Sequence, residues 1–383
     1  MAIPASKLPA VGTTIFTVMS RLAAEHGAIN LGQGFPDFDP PPLLRAALAR
    51  HVEAGRNQYA PMPGLPRLRM AIAELVARCQ GWRPDPEEEV TVTSGASEAI
   101  ADALLALVHP GDQVLLFDPA YDLYDPMVRL AGGEPVHLPL VAPAFAIDWE
   151  RVEAAIGPRT RGVVVNSPHN PCGTLLGRED LDRLAGLAER HGLWVISDEV
   201  YEHIVFDGRR HLSALAHEGL RPRCVAVSSF GKTFHCTGWK LGYAVAPPAL
   251  TRELRKVHQY NTFCSFTAAQ EAVADALERD AGHVAGLAGF YQRLRDRFLG
   301  LLAGTRLRPL PVAGSYFVLA DYGALSQAAD REFCERLVRE HGIAAVPLSP
   351  FYAEPPPGQR LIRLCFAKRE DTLEAAAARL AAL

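Results

Sequence analysis

Apolar residues fall into short continuous runs, separated by longer stretches in which they recur every three or four positions. The continuous runs, at 90–93, 113–117, 162–166, 193–197, 224–228 and 241–246, have the length of strands buried on both faces. Between them, 96–108, 178–191 and 251–260 carry helical spacing with polar faces, and Gly192 stands where a helix would end. Strand and helix in alternation predict an α/β domain with a mostly parallel sheet. Beyond about residue 280 the pattern changes to a long helical stretch at 287–302. Strands near 315–319, 344–346 and 361–366 follow, with helices between and after them, which predicts a second, α+β domain. The first forty residues are rich in Pro and Gly around 31–42 and read as an arm or as part of the smaller domain. The expected division is 1–45 as N-terminal arm and part of the small domain, 46–280 as large domain, and 281–383 as small C-terminal domain.

A chain of 383 residues is too long for one ordinary core, which agrees with two domains. Its formal net charge of −4 offers no basic field for nucleic acid or an anionic membrane, so small molecules are the expected partners. The seven cysteines form no CxxC pair, and their odd number without a signal-peptide pattern predicts reduced thiols in a cytoplasmic protein with no metal site. The longest apolar runs, such as 114–117 and 162–165, are far short of a membrane span. No Gly-x-Gly-x-x-Gly follows a strand, which argues against a nicotinamide dehydrogenase.

Several segments place polar side chains where a strand ends. Ser228-Ser229-Phe230-Gly231-Lys232-Thr233 follows one strand pattern, and Gly238-Trp239-Lys240-Leu241-Gly242-Tyr243 leads into the next. Alone, Lys232 reads as a solvated loop lysine. Among small and hydroxyl residues at a strand end it can instead be desolvated, which lowers its pKa and frees the amine for carbonyl chemistry. Asn166-Ser167-Pro168-His169-Asn170-Pro171-Cys172-Gly173 ends a strand in what could be an ordinary Asn-Pro turn. In Val195-Ile196-Ser197-Asp198-Glu199-Val200-Tyr201, Asp198 ends a buried strand, where a carboxylate is costly without a partner, and Glu199 reads as structural. Thr93-Ser94-Gly95-Ala96-Ser97-Glu98 stands between strand and helix, a place for an N-cap and equally for an anion. Asp118-Pro119-Ala120-Tyr121 follows another strand, and Arg363 interrupts the apolar run 361–366.

In this order, these segments resemble fold-type I pyridoxal 5′-phosphate (PLP) enzymes, the class I/II aminotransferases. The run 228–243 resembles the branch that contains methionine aminotransferases and kynurenine or glutamine transaminases, and the likeness extends from about Thr14 to the C-terminus. It implies the PLP-dependent transferase fold, with Lys232 holding the cofactor as a Schiff base and serving as general base and acid. It implies that Ser229, Lys240, Gly95, Ala96 and Ser97 hold the phosphate and that Tyr121 stacks on the ring. Asp198 would face the pyridine nitrogen, with Asn170 and Tyr201 at the phenolic oxygen. On the substrate side it implies that Arg363 grips the α-carboxylate in a fork that lysine could not reproduce, with Asn166 beside it.

Leu31-Gly32-Gln33-Gly34-Phe35-Pro36 resembles the family's closing loop, with Gly34 allowing close approach, and Phe16 matches an aromatic residue over the substrate side chain. Asn57-Gln58-Tyr59-Ala60-Pro61-Met62-Pro63-Gly64 resembles the segment whose tyrosine reaches the neighbouring subunit's phosphate, so Tyr59 implies a homodimer. Cys172 stands where threonine is usual, which removes a local hydroxyl. The implied reaction moves the amino group of methionine, phenylalanine, glutamine or kynurenine to a 2-oxo acid. Two alternatives stay open: a PLP-dependent carbon–sulfur β-lyase, and a PLP-binding regulator without turnover, for whose DNA-binding module the short arm leaves no room.

Overall fold

The computed structural model describes residues 5–383. The arm carries helix α1 (Ile15–Glu25), where the Thr14 hydroxyl accepts the Thr17 N–H at 3.3 Å, and strand β1 (Ile29–Asn30). Helices α2 (Pro42–Glu53) and α3 (Pro66–Gln80) both begin with proline, whose missing N–H is harmless in a first turn. The boundary expected after residue 45 falls inside α2, because Leu44 and Ala47 on one face of this helix join the same core as Leu68 and Ile72 of α3.

The chain then alternates through β2 (Val90–Thr93), α4 (Ala96–Leu107), β3 (Gln113–Asp118), α5 (Tyr124–Leu130), β4 (Glu134–Pro139), α6 (Trp149–Ala155) and β5 (Thr160–Asn166). It continues through α7 (Arg178–His191), β6 (Trp194–Asp198), β7 (Cys224–Ser229), α8 (Phe230–Thr233), β8 (Gly242–Val245), α9 (Pro248–Asn261) and α10 (Thr267–Arg279). The strands form one sheet in the order β2-β8-β7-β6-β5-β3-β4. Only β8 is antiparallel to its neighbours, so β2, β3, β5, β6 and β7 all run one way. Their last residues, Thr93, Asp118, Asn166, Asp198 and Ser229, therefore share one edge of the sheet, where open α/β sheets bind ligands. The run pattern does not mark β4, an edge strand whose half-buried positions and two prolines blur the signal.

Helix α11 (Ala281–Leu302) starts at 281 rather than 287, since the Asp280 carboxylate accepts the His283 N–H at 3.1 Å and caps it earlier. After it come β9 (Arg308–Pro309), β10 (Phe317–Asp321), α12 (Asp330–His341), β11 (Ile343–Ala344), β12 (Val346–Pro347), β13 (Leu361–Cys365) and α13 (Glu370–Ala381). β12, β13, β10 and β9 form an antiparallel sheet in that order. The single strand expected at 344–346 divides in two: β11 pairs in parallel with β1, and β12 pairs with β13. This split ties the arm to the C-terminal sheet, and Met19, Leu22 and Leu31 share a core with α11 and β10. Arg363 sits mid-strand in β13, opposite Leu319 and Val346. Among the described residues, no helix is long and apolar enough to cross a membrane.

Candidate active site

A cavity of about 240 Å³ opens at the shared edge of the large sheet and is closed on its far side by the arm, β10 and β13. Fourteen of the fifteen side chains singled out from the sequence border it: Phe16, Gly34, Gly95, Ala96, Ser97, Tyr121, Asn166, Asn170, Asp198, Tyr201, Ser229, Lys232, Lys240 and Arg363. Tyr59 does not. It is 83% exposed, with its ring edge-on to Phe263 at 5.5 Å.

Lys232 lies on the helical turn α8, directly after β7, and is no solvated loop lysine. Burial lowers its pKa to about 8, while its ammonium sits over the rings of Tyr201 at 5.7 Å and Tyr316 at 5.6 Å. Asp198, the last residue of β6, is buried, and burial raises its carboxyl to about 6. The rise is held back by the Tyr124 hydroxyl, which donates to Oδ2 at 2.6 Å, by the Val200 N–H and by the charge of Lys232. Asp198 is therefore mostly ionised at neutral pH although buried. Tyr201 is 3% exposed, and burial raises its phenol.

The anion-binding corner forms where β2 meets α4. Gly95 is the N-cap, at φ 82°, a conformation that glycine adopts without strain. The unpaired N–H groups of the α4 first turn then face the cavity alongside Ser229 and Lys240. A Cβ on Gly95 would lie 3.4 Å from Lys240 Nζ, so the ammonium stands directly over the loop. One on Gly242 would meet Ala96 N at 2.8 Å and Ser228 O at 2.6 Å, so only glycine lets β8 start this close to the corner.

Arg363 is 0% exposed. Nη1 donates to Asn170 Oδ1 at 2.9 Å and Nη2 to the Gly32 carbonyl at 2.8 Å, while Nε has no partner. The guanidinium stacks on Phe317 at 3.9 Å and faces Phe16 at 5.0 Å. Burial pulls its pKa down, and no carboxylate pairs with it among the described residues. A buried cation of this kind is costly until an anion completes it. Asn166, expected beside the substrate carboxylate, borders the cavity and also holds the local turn: Nδ2 donates to the Asp198 carbonyl at 2.8 Å, and Oδ1 accepts the Asn170 N–H at 2.8 Å. It braces the turn that presents Asn170. A Cβ on Gly34 would lie 2.7 Å from the Phe317 ring, which is why that loop needs glycine.

Residues 26–380 match the sequence profile of aminotransferase class I and II. The chain belongs to that family. It is 53% identical over 378 residues to the methionine aminotransferase of Escherichia coli, covering 99% of this aminotransferase and 98% of the relative. It is 35% identical to human kynurenine–oxoglutarate transaminase 1, covering 93% and 92% of the two chains. The crystal structure of the E. coli enzyme superposes with a TM-score of 0.98 at 52% identity over 100% of both chains. The three-dimensional structure of N-succinyldiaminopimelate aminotransferase from Mycobacterium tuberculosis superposes at 0.96 with 43% identity, over 99% of this chain and 100% of that one.

Aminotransferases of this class depend on PLP in general. The cavity of this aminotransferase fits such a group: it offers a half-buried lysine whose amine burial holds near pKa 8, a buried carboxylate, a cationic helix N-terminus for a phosphate and an unsatisfied guanidinium. Sequence reasoning missed Tyr124 and Phe317. A second tyrosine three residues after Tyr121, which brings the two rings edge-to-face with centroids 5.8 Å apart, was a usable signal for the first. Phe317 had none, since it reaches the cavity only through the pairing of β10 with β13. Cys172 is buried, and burial raises its thiol.

Proposed function

We propose that this aminotransferase holds PLP through Lys232 and transfers the amino group of methionine, phenylalanine and comparable neutral amino acids, glutamine and kynurenine included, to a 2-oxo acid. The carrying observation is Arg363: a buried guanidinium with a free Nε, walled by Phe16 and Phe317. An α-carboxylate completes its hydrogen bonding, and the aromatic wall beside it suits an apolar side chain. The names of the E. coli and human relatives support the same substrate class.

PLP, when bound, supplies an electron sink for the charge left at Cα. The residues of this chain do the rest. Lys232 would hold the group and, with its amine free, would move the proton at the substrate Cα as general base and acid, a task for which an amine of pKa about 8 is well matched. Asp198, mostly ionised with the Tyr124 hydroxyl behind it, would pair with the cofactor's ring nitrogen. Asn170, steadied by Arg363 and Asn166, and Tyr201 would serve its phenolic oxygen, and Tyr121 would pack against it. Gly95, Ala96, Ser97, Ser229 and Lys240 would hold its phosphate. The arm and residues 281–383 act as a small domain that carries Arg363 onto the large one.

The lining holds one arginine, so a second carboxylate, as in aspartate, would lose its hydration without an ion pair. We expect kcat/KM for methionine and phenylalanine to exceed that for aspartate and glutamate by about a hundredfold or more. Steady-state rates across these four and N-succinyldiaminopimelate check it, and a faster reaction with aspartate or with the succinylated substrate overturns the assignment. Pyruvate and ammonia released from cystathionine without added 2-oxo acid would instead favour the β-lyase.

We also propose a homodimer with shared sites. Tyr59 at 83% exposure and Tyr260 at 86%, with Phe263 and Phe266, leave large apolar rings uncovered near the anion-binding corner. Mixed Tyr59→Phe and Lys232→Ala subunits should be more active than either variant alone, because the heterodimer has one intact site. A fully active monomer in sedimentation at assay concentration is the contrary result.

A further inference from the structure

Behind the anion-binding corner lies a buried charge cluster that the proposed chemistry leaves unused. Glu98 and Asp102 stand one turn apart on α4, and His258 faces them from the last turn of α9. Glu98 Oε1 accepts from His258 Nδ1 at 2.7 Å, while its other oxygen takes the Ser94 N–H. His258 Nε2 donates to the Met62 carbonyl at 2.9 Å. Asp102 Oδ1 accepts from Asn261 at 2.8 Å, and its Oδ2, with no hydrogen-bond partner, lies 3.5 Å from His258 Nδ1. His258 and Asp102 are fully buried, and Glu98 nearly so.

Glu98, Asp102 and His258 have the spacing of a metal site, but both ring nitrogens of His258 already point N–H groups at oxygen acceptors. With its pKa pushed up to about 9, the ring is protonated at neutral pH and keeps no lone pair for a metal. The charged groups that face it are Glu98 and Asp102 of α4; the 57–64 segment offers only the Met62 carbonyl. Burial alone would lower the His258 pKa, but the Asp102 carboxyl 3.5 Å away and the hydrogen-bonded Glu98 carboxyl outweigh it and push it up to about 9. Asp102 is raised by its burial, and Glu98 is lowered by His258 and the Ser94 N–H despite its own.

We propose that Glu98 and His258 are positioning residues for the phosphate cradle, an ion pair that clamps the Ser94–Gly95 turn to α9 and to the segment carrying Tyr59. Glu98 reaches back from the first turn of α4 to the residue just before its N-cap, so the direction of the Gly95, Ala96 and Ser97 amides depends on where Glu98 is held. His258 holds it, and the Met62 contact brings the 57–64 segment into the same assembly. Ser94 and Ser265, 3.1 Å apart, add a second brace. This inference rests on the cofactor reading above.

The test compares binding of pyridoxal 5′-phosphate with that of pyridoxal, which lacks the phosphate, to apoprotein of wild type, His258→Gln and Glu98→Gln. Each variant is expected to lower the ratio of the two affinities about tenfold, on the scale of losses seen when an outer partner of a binding group is removed. Affinity for pyridoxal itself should change little. In wild type, the ratio should also drop as pH rises through about 9, and this step should be absent from both variants. The sign follows from the direction of the shift: in the folded protein His258 stays protonated and holds Glu98 up to about pH 9, and above it the neutral ring loses the charge that positions the cradle. Should His258→Gln fail to fold, Glu98→Gln and the wild-type profile read the same ratio. An unchanged ratio, or equal losses for both aldehydes, overturns the positioning role. A wild type that binds the two aldehydes equally removes the cradle itself, and the proposal with it.

Discussion

Lys232→Ala is expected to lower turnover by about four orders of magnitude, the upper end of what a positioned acid–base group contributes. The only other lysine on the cavity wall is Lys240, whose ammonium stands over Gly95 in the anion-binding corner. The variant should still fold and bind cofactor through that corner, so the loss appears in kcat and in single-turnover proton transfer. The buried amine also leaves a pH signature. In wild-type apoprotein its neutral fraction grows as pH rises through about 8 instead of 10.5, and labelling of Lys232 by an amine-selective reagent should follow that lower midpoint. Because the folded pKa is depressed, the unfolded chain binds the extra proton between about 8 and 10.5. Stability from this group therefore rises with pH across that window, and Lys232→Ala removes the slope. A variant with more than a few per cent of wild-type turnover contradicts the assignment.

Arg363→Lys should reduce kcat/KM for methionine by about 10²- to 10³-fold, the scale of about 3 to 4 kcal/mol for a buried charge-assisted fork. Three features make the site unforgiving. The guanidinium is fully buried, it stacks on Phe317 at 3.9 Å, and two of its nitrogens already hold Asn170 and the Gly32 carbonyl. Lysine can supply the charge but neither the plane that stacks nor the simultaneous contacts. Methioninamide separates carboxylate recognition from collapse of the site. Wild type should discriminate against the amide by nearly the factor lost in the variant, and Arg363→Lys should discriminate little. Equal discrimination by both proteins would mean that another group binds the carboxylate.

Chemistry that consecutive residues carry is legible in the amino-acid order alone. The runs that form β2, β3, β5, β6, β7 and β8 are visible because strands buried on both faces are apolar along most of their length. α7 can be bounded at both ends, since its final Gly192 takes the left-handed conformation that terminates helices. The polar residues at strand ends, Asp198 and Ser229 among them, stand out because burial there demands a reason. β4 is hidden because an edge strand with prolines lacks that contrast.

The amino-acid sequence by itself determined the order of elements and the chemical types at their ends, because hydrophobic period, capping residues and turn glycines act within a few positions. The tertiary structure decided which of those ends meet. Sheet order brought Asn166, Asp198 and Ser229 to one edge, although 32 residues separate an asparagine from the carbonyl it binds. Pairing of β13 with β10 and β12 buried Arg363 and set Phe317 against it, 193 positions along the chain from the Asn170 it binds. It also showed Asn166 bracing the turn that presents Asn170, and it joined Glu98 to His258 across 160 positions. Burial and pairing over such distances depend on how sheets stack, which no local pattern encodes, and they convert an ordinary lysine, aspartate and arginine into groups with altered proton affinity.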